Sequence, residues 1–197
     1  ALRHLVACSA GGALLYICAG WRYMAGVLEA GRDAGLRLGS LCVWVRDGCD
    51  TGSLYRSQHE LVFVFQTPAG ENTRRERFRL TRGDIWRYEP LRAPRRPKQN
   101  QPAVPPRTMT PIALIRDAIL DATESGEIVL DSFLTGGTTL LAAERIGRRC
   151  FGIEANPRYV DAIIRRWEKQ SGDPARHGES GLTFASLAQE RGVPDVV

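Results

Sequence analysis

Lysine is nearly absent from this chain of 197 residues: Lys98 and Lys169 are the only two among 27 lysines and arginines. The net charge of +5 is therefore carried by arginine, whose planar guanidinium makes bidentate contacts to phosphate and guanine that an ammonium cannot. A GC-rich genome that favours arginine codons accounts for the overall number. It does not account for nine arginines between Arg74 and Arg96, interleaved with Phe78, Trp86 and Tyr88. That mixture suits a segment that follows phosphates and stacks on bases, the alternative being a solvated loop.

Other absences narrow the class. No apolar run reaches the roughly 18 residues of a membrane span, and the N-terminus lacks the basic-then-apolar layout of a signal peptide, so a cytoplasmic protein without membrane contact is expected. Five scattered cysteines with no C-x-x-C give neither a zinc site nor a disulfide framework; they read as reduced thiols, mostly core filler. His59 and Glu60 are adjacent, but H-E-x-x-H needs a second histidine where Phe63 stands. No metal ligand set follows, and the pair reads as polar groups at a strand entrance.

What is present is concentrated from Ile128 to Trp167, IVLDSFLTGGTTLLAAERIGRRCFGIEANPRYVDAIIRRW. An apolar strand ends on Asp131, a small-residue turn leads into an Ala/Leu/Glu-rich helix, and a second strand ends on Glu154. Small residues at Thr135, Gly136, Gly137, Thr138 and Thr139 let the backbone approach a ligand, and a carboxylate about 20 residues on can take both ribose hydroxyls. The G-x-G-x-x-G turn that receives a pyrophosphate is missing. Asp131, placed just before the loop, would repel a pyrophosphate and favour an ammonium or sulfonium. S-adenosyl-L-methionine carries both.

The run DSFLTGGTTLLAAERIGRRCFGIEANPRYVDAIIRRW resembles the cofactor region of bacterial and phage DNA amino-methyltransferases, with their D-P-F-x-G-S-G-T-T turn, Ala-Ala-Glu helix, G-R, G-I-E and P-x-Y. GGALLYICAGWRYMAGVLEAGRDAGL, LCVWVRDGCDTGSLYRSQHELVFVFQ and TPIALIRDAI look like further blocks of the same family, so the resemblance covers most of residues 11 to 170. It implies a cofactor site at Pro111, Asp131, Ser132, Phe133, Thr135, Gly136, Gly137, Thr138, Thr139, Glu154 and Ala155. It also implies DNA contacts from Tyr55 and Arg56, beside the pocket for an extruded base. Arg74, Arg75, Arg77, Arg79 and Arg82 fall where the family carries its target-recognition insert.

The chain departs from the pattern at Ser132, in place of proline, at Thr135, in place of the first loop glycine, and at Thr110, in place of the lysine of H-P-T-x-K-P. A larger departure is the lack of a D-P-P-Y or N-P-P-Y turn. The lone pair of an exocyclic amine is delocalised into the base, so the enzyme must accept hydrogen bonds from the amine and stack the base in line with the methyl donor. Val104 to Arg107 reads V-P-P-R and Asp173 to Arg176 reads D-P-A-R, both loop-like. No residue is assigned as catalytic. In the subgroup's order the catalytic turn precedes Gly12, and Ala1 comes too late to include it. A fragment, a processed product and a gene broken upstream all fit, as does a homodimer or partner chain that supplies the missing segment.

The expected fold is α/β: a seven-stranded, Rossmann-like S-adenosylmethionine-dependent methyltransferase sheet with helices on both faces, in permuted order and incomplete at its N-terminus. One methyltransferase domain spans 1–170, with a substrate half at 11–66, a basic segment and proline-rich linker at 67–106, a cofactor half at 107–170, and a polar tail at 171–197. Strands are expected at Gly12–Ala19, Leu38–Val45 and Leu61–Gln66, an amphipathic helix at Trp21–Ala34, and a short helix near Leu182–Glu190. Trp21 and Trp44 read as core aromatics, and Trp167 as packing on the sheet. The expected activity is methyl transfer to adenine N6 in preference to cytosine N4, with a DNA-binding remnant lacking activity as the alternative.

Overall fold

The computed structural model describes residues 1–46, 54–68, 82–88 and 110–192. The chain divides into two compact units, Ala1–Pro90 with Leu120–Ala122, and Leu91–Ile119 with Thr123–Val197.

The first unit is built on a four-stranded sheet ordered β1–β3–β2–β4, from β1 (Leu14–Ala19), β2 (Arg37–Val45), β3 (His59–Gln66) and β4 (Ile85–Arg87). β1 and β2 both pair antiparallel with β3, and β4 pairs parallel with β2. β3 is apolar without alternation because it is covered on both faces, and every residue from Leu61 to Phe65 is buried. Leu15, Ile17 and Ala19 face one way with Phe63 and Phe65, against Leu2 and Val6 of α1 (Leu2–Ala7) and Val27 and Leu28 of α2 (Met24–Asp33). Gly31 lets α2 lie close to the sheet, since a Cβ there would stand 2.6 Å from the Phe65 ring.

In the second unit β5 (Ile128–Asp131) and β6 (Arg149–Gly152) pair parallel across α4 (Thr138–Arg145). Val129 and Cys150 pack with Ala142 and Ala143 of α4 and with Ile112, Ile115 and Ile119 of α3 (Ile112–Ala122). α5 (Pro157–Ser171) starts on the Asn156 side chain, which accepts from Arg158 N at 3.0 Å, and stops at Gly172, φ 80°. α6 (Phe184–Glu190) is capped by Thr183.

Among the described residues the strands number six, in two sheets, and β1 and β5 each have a neighbour on one side only. No helix among them is long and apolar enough to cross a membrane. The expected strands are present, as are the Ala/Leu/Glu-rich helix after the small-residue turn and the short helix near the C-terminus.

Several expectations are corrected. The helix expected from Trp21 opens as a 3₁₀ turn, Trp21–Tyr23, and becomes α-helical only at Met24. Trp21 is consequently 49% exposed, whereas Trp44 is buried at 1%. Cys8 and Cys18 are exposed, so only Cys42, with Cys150 in part, fills a core. Cys18 turns away because its neighbours Ile17 and Ala19 take the inward face of β1. Trp167 reaches α4, where its Nε1 donates to Glu144 Oε2 at 3.0 Å. The linker from Ala93 to Pro106 lies outside the described residues, as does Cys49.

Candidate functional site

The loop between β5 and α4 is organised by two carboxylates. Asp131, the last residue of β5, accepts from Phe133 N at 3.0 Å through Oδ1 and from the Thr139 hydroxyl at 2.6 Å through Oδ2. Glu154 accepts from Thr135 N through Oε2 and from Asn156 N through Oε1, both at 2.8 Å. Glu154 lies two residues beyond β6, not at its end. The strand register carries on to it through Ile153 N to Asp131 O at 2.9 Å and Leu134 N to Ile153 O at 3.0 Å. Each carboxylate oxygen has two lone pairs and spends one on the loop, so both groups are fixed in place with acceptor capacity in reserve. That suits Glu154 to a vicinal diol and Asp131 to a cation.

The loop backbone is tightly constrained. Gly137 starts α4 at φ 75°, and a Cβ there would meet Ile163 Cγ2 at 2.8 Å, so glycine is demanded by conformation and by space. Thr135 has φ 50°, a left-handed conformation for a β-branched residue. It is held there because its N–H donates to Glu154 and its hydroxyl donates to Phe133 O at 2.8 Å.

Of the expected cofactor residues, Asp131, Phe133, Thr135, Thr139 and Glu154 join in this one network. Gly136, Gly137 and Thr138 are buried beneath it, Ser132 is half-buried, and Phe133 and Ala155 are exposed. Pro111 is buried at the N-cap of α3, where its carbonyl accepts from Ile115 N at 3.3 Å.

Two residues of this site carry no motif and were not anticipated. Arg166, on α5, donates from Nη1 to Gly136 O, and Ile163, one turn earlier, closes against Gly137. Burial, and secondarily the neighbouring Arg145, pushes the Arg166 guanidinium below its usual range. α5 is also fastened to α4 by Gln170 Nε2 to Leu141 O at 2.9 Å and Arg145 Nε to Gln170 Oε1 at 2.7 Å. The helix after the second strand is thus the floor of the loop. Only its amphipathic spacing was visible in the sequence.

In the first unit Tyr55 and Arg56 are exposed. Arg82 is committed within the protein: Nε donates to Asp121 Oδ2 at 3.0 Å, Nη1 to the Tyr88 hydroxyl, and the guanidinium lies 5.0 Å from the centroid of Trp86. That differs from the phosphate contact expected of it, and follows from the buried Trp86 of β4 drawing the segment inward. Arg74, Arg75, Arg77 and Arg79 lie outside the described residues. Asp173 to Arg176 is a connecting loop in which Ala175 N donates to Glu168 Oε1 at 2.9 Å.

The family described as DNA methylase matches residues 5–165. The type II methyltransferase M2.DpnII of Streptococcus pneumoniae is 38% identical over 64 residues, 32% of this chain and 24% of that protein. The DNA adenine methyltransferase YhdJ of Escherichia coli strain K12 is 34% identical over 89 residues, 45% of this chain and 29% of that protein. The chain thus matches less than a third of the length of either curated relative. The Thermus thermophilus protein TTHA0409, solved complexed with S-adenosyl-L-methionine, superposes with a TM-score of 0.64 at 22% identity, over 86% of this chain and 74% of its own. That likeness establishes the methyltransferase fold.

Proposed function

The chain belongs to the DNA methylase family, and from that premise we propose that it holds S-adenosyl-L-methionine at the β5–α4 loop and directs its methyl group to an exocyclic amine in DNA. The observation that carries the reading is the pair of fixed carboxylates, Asp131 and Glu154, around a loop too tight for any residue but glycine at 137. Glu154 would hold the ribose and Asp131 the cationic methionine end, with Thr139 orienting Asp131. When bound, the cofactor supplies an electrophilic methyl on sulfonium; Phe133, exposed at 69%, offers an apolar surface at the loop.

Adenine N6 is the proposed target in preference to cytosine N4, supported by the longer of the two sequence matches, the adenine-acting relative of Escherichia coli. The acceptor for the amine is assigned to a turn outside the described residues, in this chain's own protein or in a partner.

Calorimetric titration with S-adenosylhomocysteine tests the pocket: micromolar binding is expected, and no heat at sub-millimolar ligand would remove the reading. A DNA-binding remnant without cofactor is the second reading, favoured by Thr135, whose positive φ sits at a position the family fills with glycine. The same titration separates the two.

A further inference from the structure

We propose that Trp21, flanked by Arg22, forms a stacking platform for unpaired DNA bases at one rim of the first unit's sheet, with Tyr23 of the same turn as a second stacking surface. The choice of DNA as occupant rests on the methyltransferase reading; the platform itself rests on the geometry of the rim.

Because β1 and β2 run antiparallel to β3, and β4 runs parallel to β2, the carboxyl ends of β1, β2 and β4 share a rim with the amino end of β3. Open α/β sheets receive their ligands at the carboxyl ends of strands. Four arginines belong to this rim: Arg22 just past β1, Arg46 just past β2, Arg56 on the approach to β3 and Arg87 at the end of β4. Arg22, Arg56 and Arg87 are exposed and Arg46 is half-buried.

The aromatic side chains beside them are open to water. Trp21 is 49% exposed, Tyr23 71% and Tyr55 84%, while Trp44 and Trp86 are buried at 1% and 6%. Exposure is therefore not forced by a shortage of core. It comes from the turn after β1: Gly20 is extended, and a 3₁₀ turn then carries Trp21, Arg22 and Tyr23 past the end of the strand with none of them buried. The Arg22 guanidinium lies 5.0 Å from the Trp21 ring centroid, so cation and π-face are presented together. That combination binds strands whose bases are free to stack and whose phosphates need neutralising. Duplex bases offer no free face, but extrusion of a target base leaves an orphaned partner and unstacked neighbours.

The test is fluorescence anisotropy of the full chain with a labelled single-stranded oligodeoxyribonucleotide of about a dozen nucleotides, for the unsubstituted protein and for Trp21→Ala, Trp21→Phe, Tyr23→Ala and Arg22→Gln. Trp21→Ala is expected to weaken binding about tenfold without changing the salt slope, and Trp21→Phe to retain most of the affinity. Arg22→Gln should lower the slope of log K against log salt by about one. Tyr23, the more exposed of the two, gives a second reading should Trp21→Ala fold poorly, and Tyr23→Ala is expected to weaken binding in the same way.

Undiminished affinity in both alanine variants would overturn the platform, as would failure of the unsubstituted chain to bind the oligonucleotide. Tighter, equally Trp21-dependent binding of the same sequence as RNA would overturn DNA as the occupant. The S-adenosylhomocysteine titration is indifferent to Trp21. A chain that binds DNA through Trp21 but no cofactor loses the methyltransferase reading alone, and one that binds cofactor but stacks nothing loses the platform alone.

Discussion

In both units the proposed sites lie at strand ends, but they are built in opposite ways. At the end of β5 every oxygen of Asp131 and Glu154 accepts from a donor in the loop, in the first turn of α4 or at the cap of α5, and the floor beneath is closed by Ile163 and Arg166. Past the end of β1, Arg22 stands beside the Trp21 ring, which is left half open to water. Carboxylates are costly to leave without partners at a partly buried loop, so a charged-ligand site is best pre-assembled by the protein itself. Aromatic stacking is non-directional and every base has a π-face, so a surface for a strand of variable sequence can remain uncovered until the partner arrives. The first kind of site is rigid and specific; the second is tolerant.

Asp131→Ala should break the distinction most sharply. It removes the acceptor of Phe133 N and Thr139 and the charge facing the ligand's ammonium, so affinity for S-adenosylhomocysteine is expected to fall about a hundredfold, near 3 kcal/mol, while oligonucleotide binding is unchanged. Loss of both affinities in parallel calorimetric and anisotropy titrations would mean that the two regions are not independent.

Gly137→Ala comes next. A left-handed L-residue costs about 1–2 kcal/mol, and its methyl would press on Ile163. Urea unfolding is expected to show a total loss of about 2–3 kcal/mol once overpacking is added; a variant as stable as the parent would show that α5 does not support the loop.

Alkaline pH probes both cores at once. Burial, and secondarily the charge of Asp131, pushes the Cys150 thiol from 9.0 to about 12, and burial also raises Cys42 and the Tyr16 hydroxyl. The unfolded chain ionises first and then binds fewer protons than the folded one, so stability is full below the ordinary thiol value of 9.0 and falls as pH rises toward about 12. A melting temperature that stays flat from neutral pH to about pH 11 would place these groups in water.

Thr135→Gly should give the smallest change. Relief of about 1–2 kcal/mol of left-handed strain is offset by about 0.5–1 kcal/mol of added chain entropy, leaving a slight gain in stability by denaturant midpoint. A loss would show that the Thr135 hydroxyl bond to Phe133 O outweighs the strain.

The β5–α4 loop was legible in the sequence because the proposed site asks for particular residue types: acids at or just past strand ends, small residues where the backbone must turn. The strands of the first unit were legible from apolar runs, β3 among them. Trp21 was misread because it stands three residues before Met24, in helical phase with Val27 and Leu28. A 3₁₀ turn breaks that phase, and nothing in the local sequence distinguishes the two helix types. β4 was hidden because three residues in a basic stretch hold no periodicity, and only Trp86, buried at 6%, marks it. Arg166 supports the loop through α5 docking, which is a tertiary fact with no local signature.

Ile163 and Gly137 meet at a distance that leaves no room for a methyl group. The two positions therefore constrain each other's history. A lineage that first shortens residue 163 removes the collision and leaves only the left-handed backbone to restrain position 137; one that first alters residue 137 meets both at once. The same pair of substitutions is thus less costly in one order than in the other, and the helix behind the loop acts as a gatekeeper on how the glycine turn can evolve.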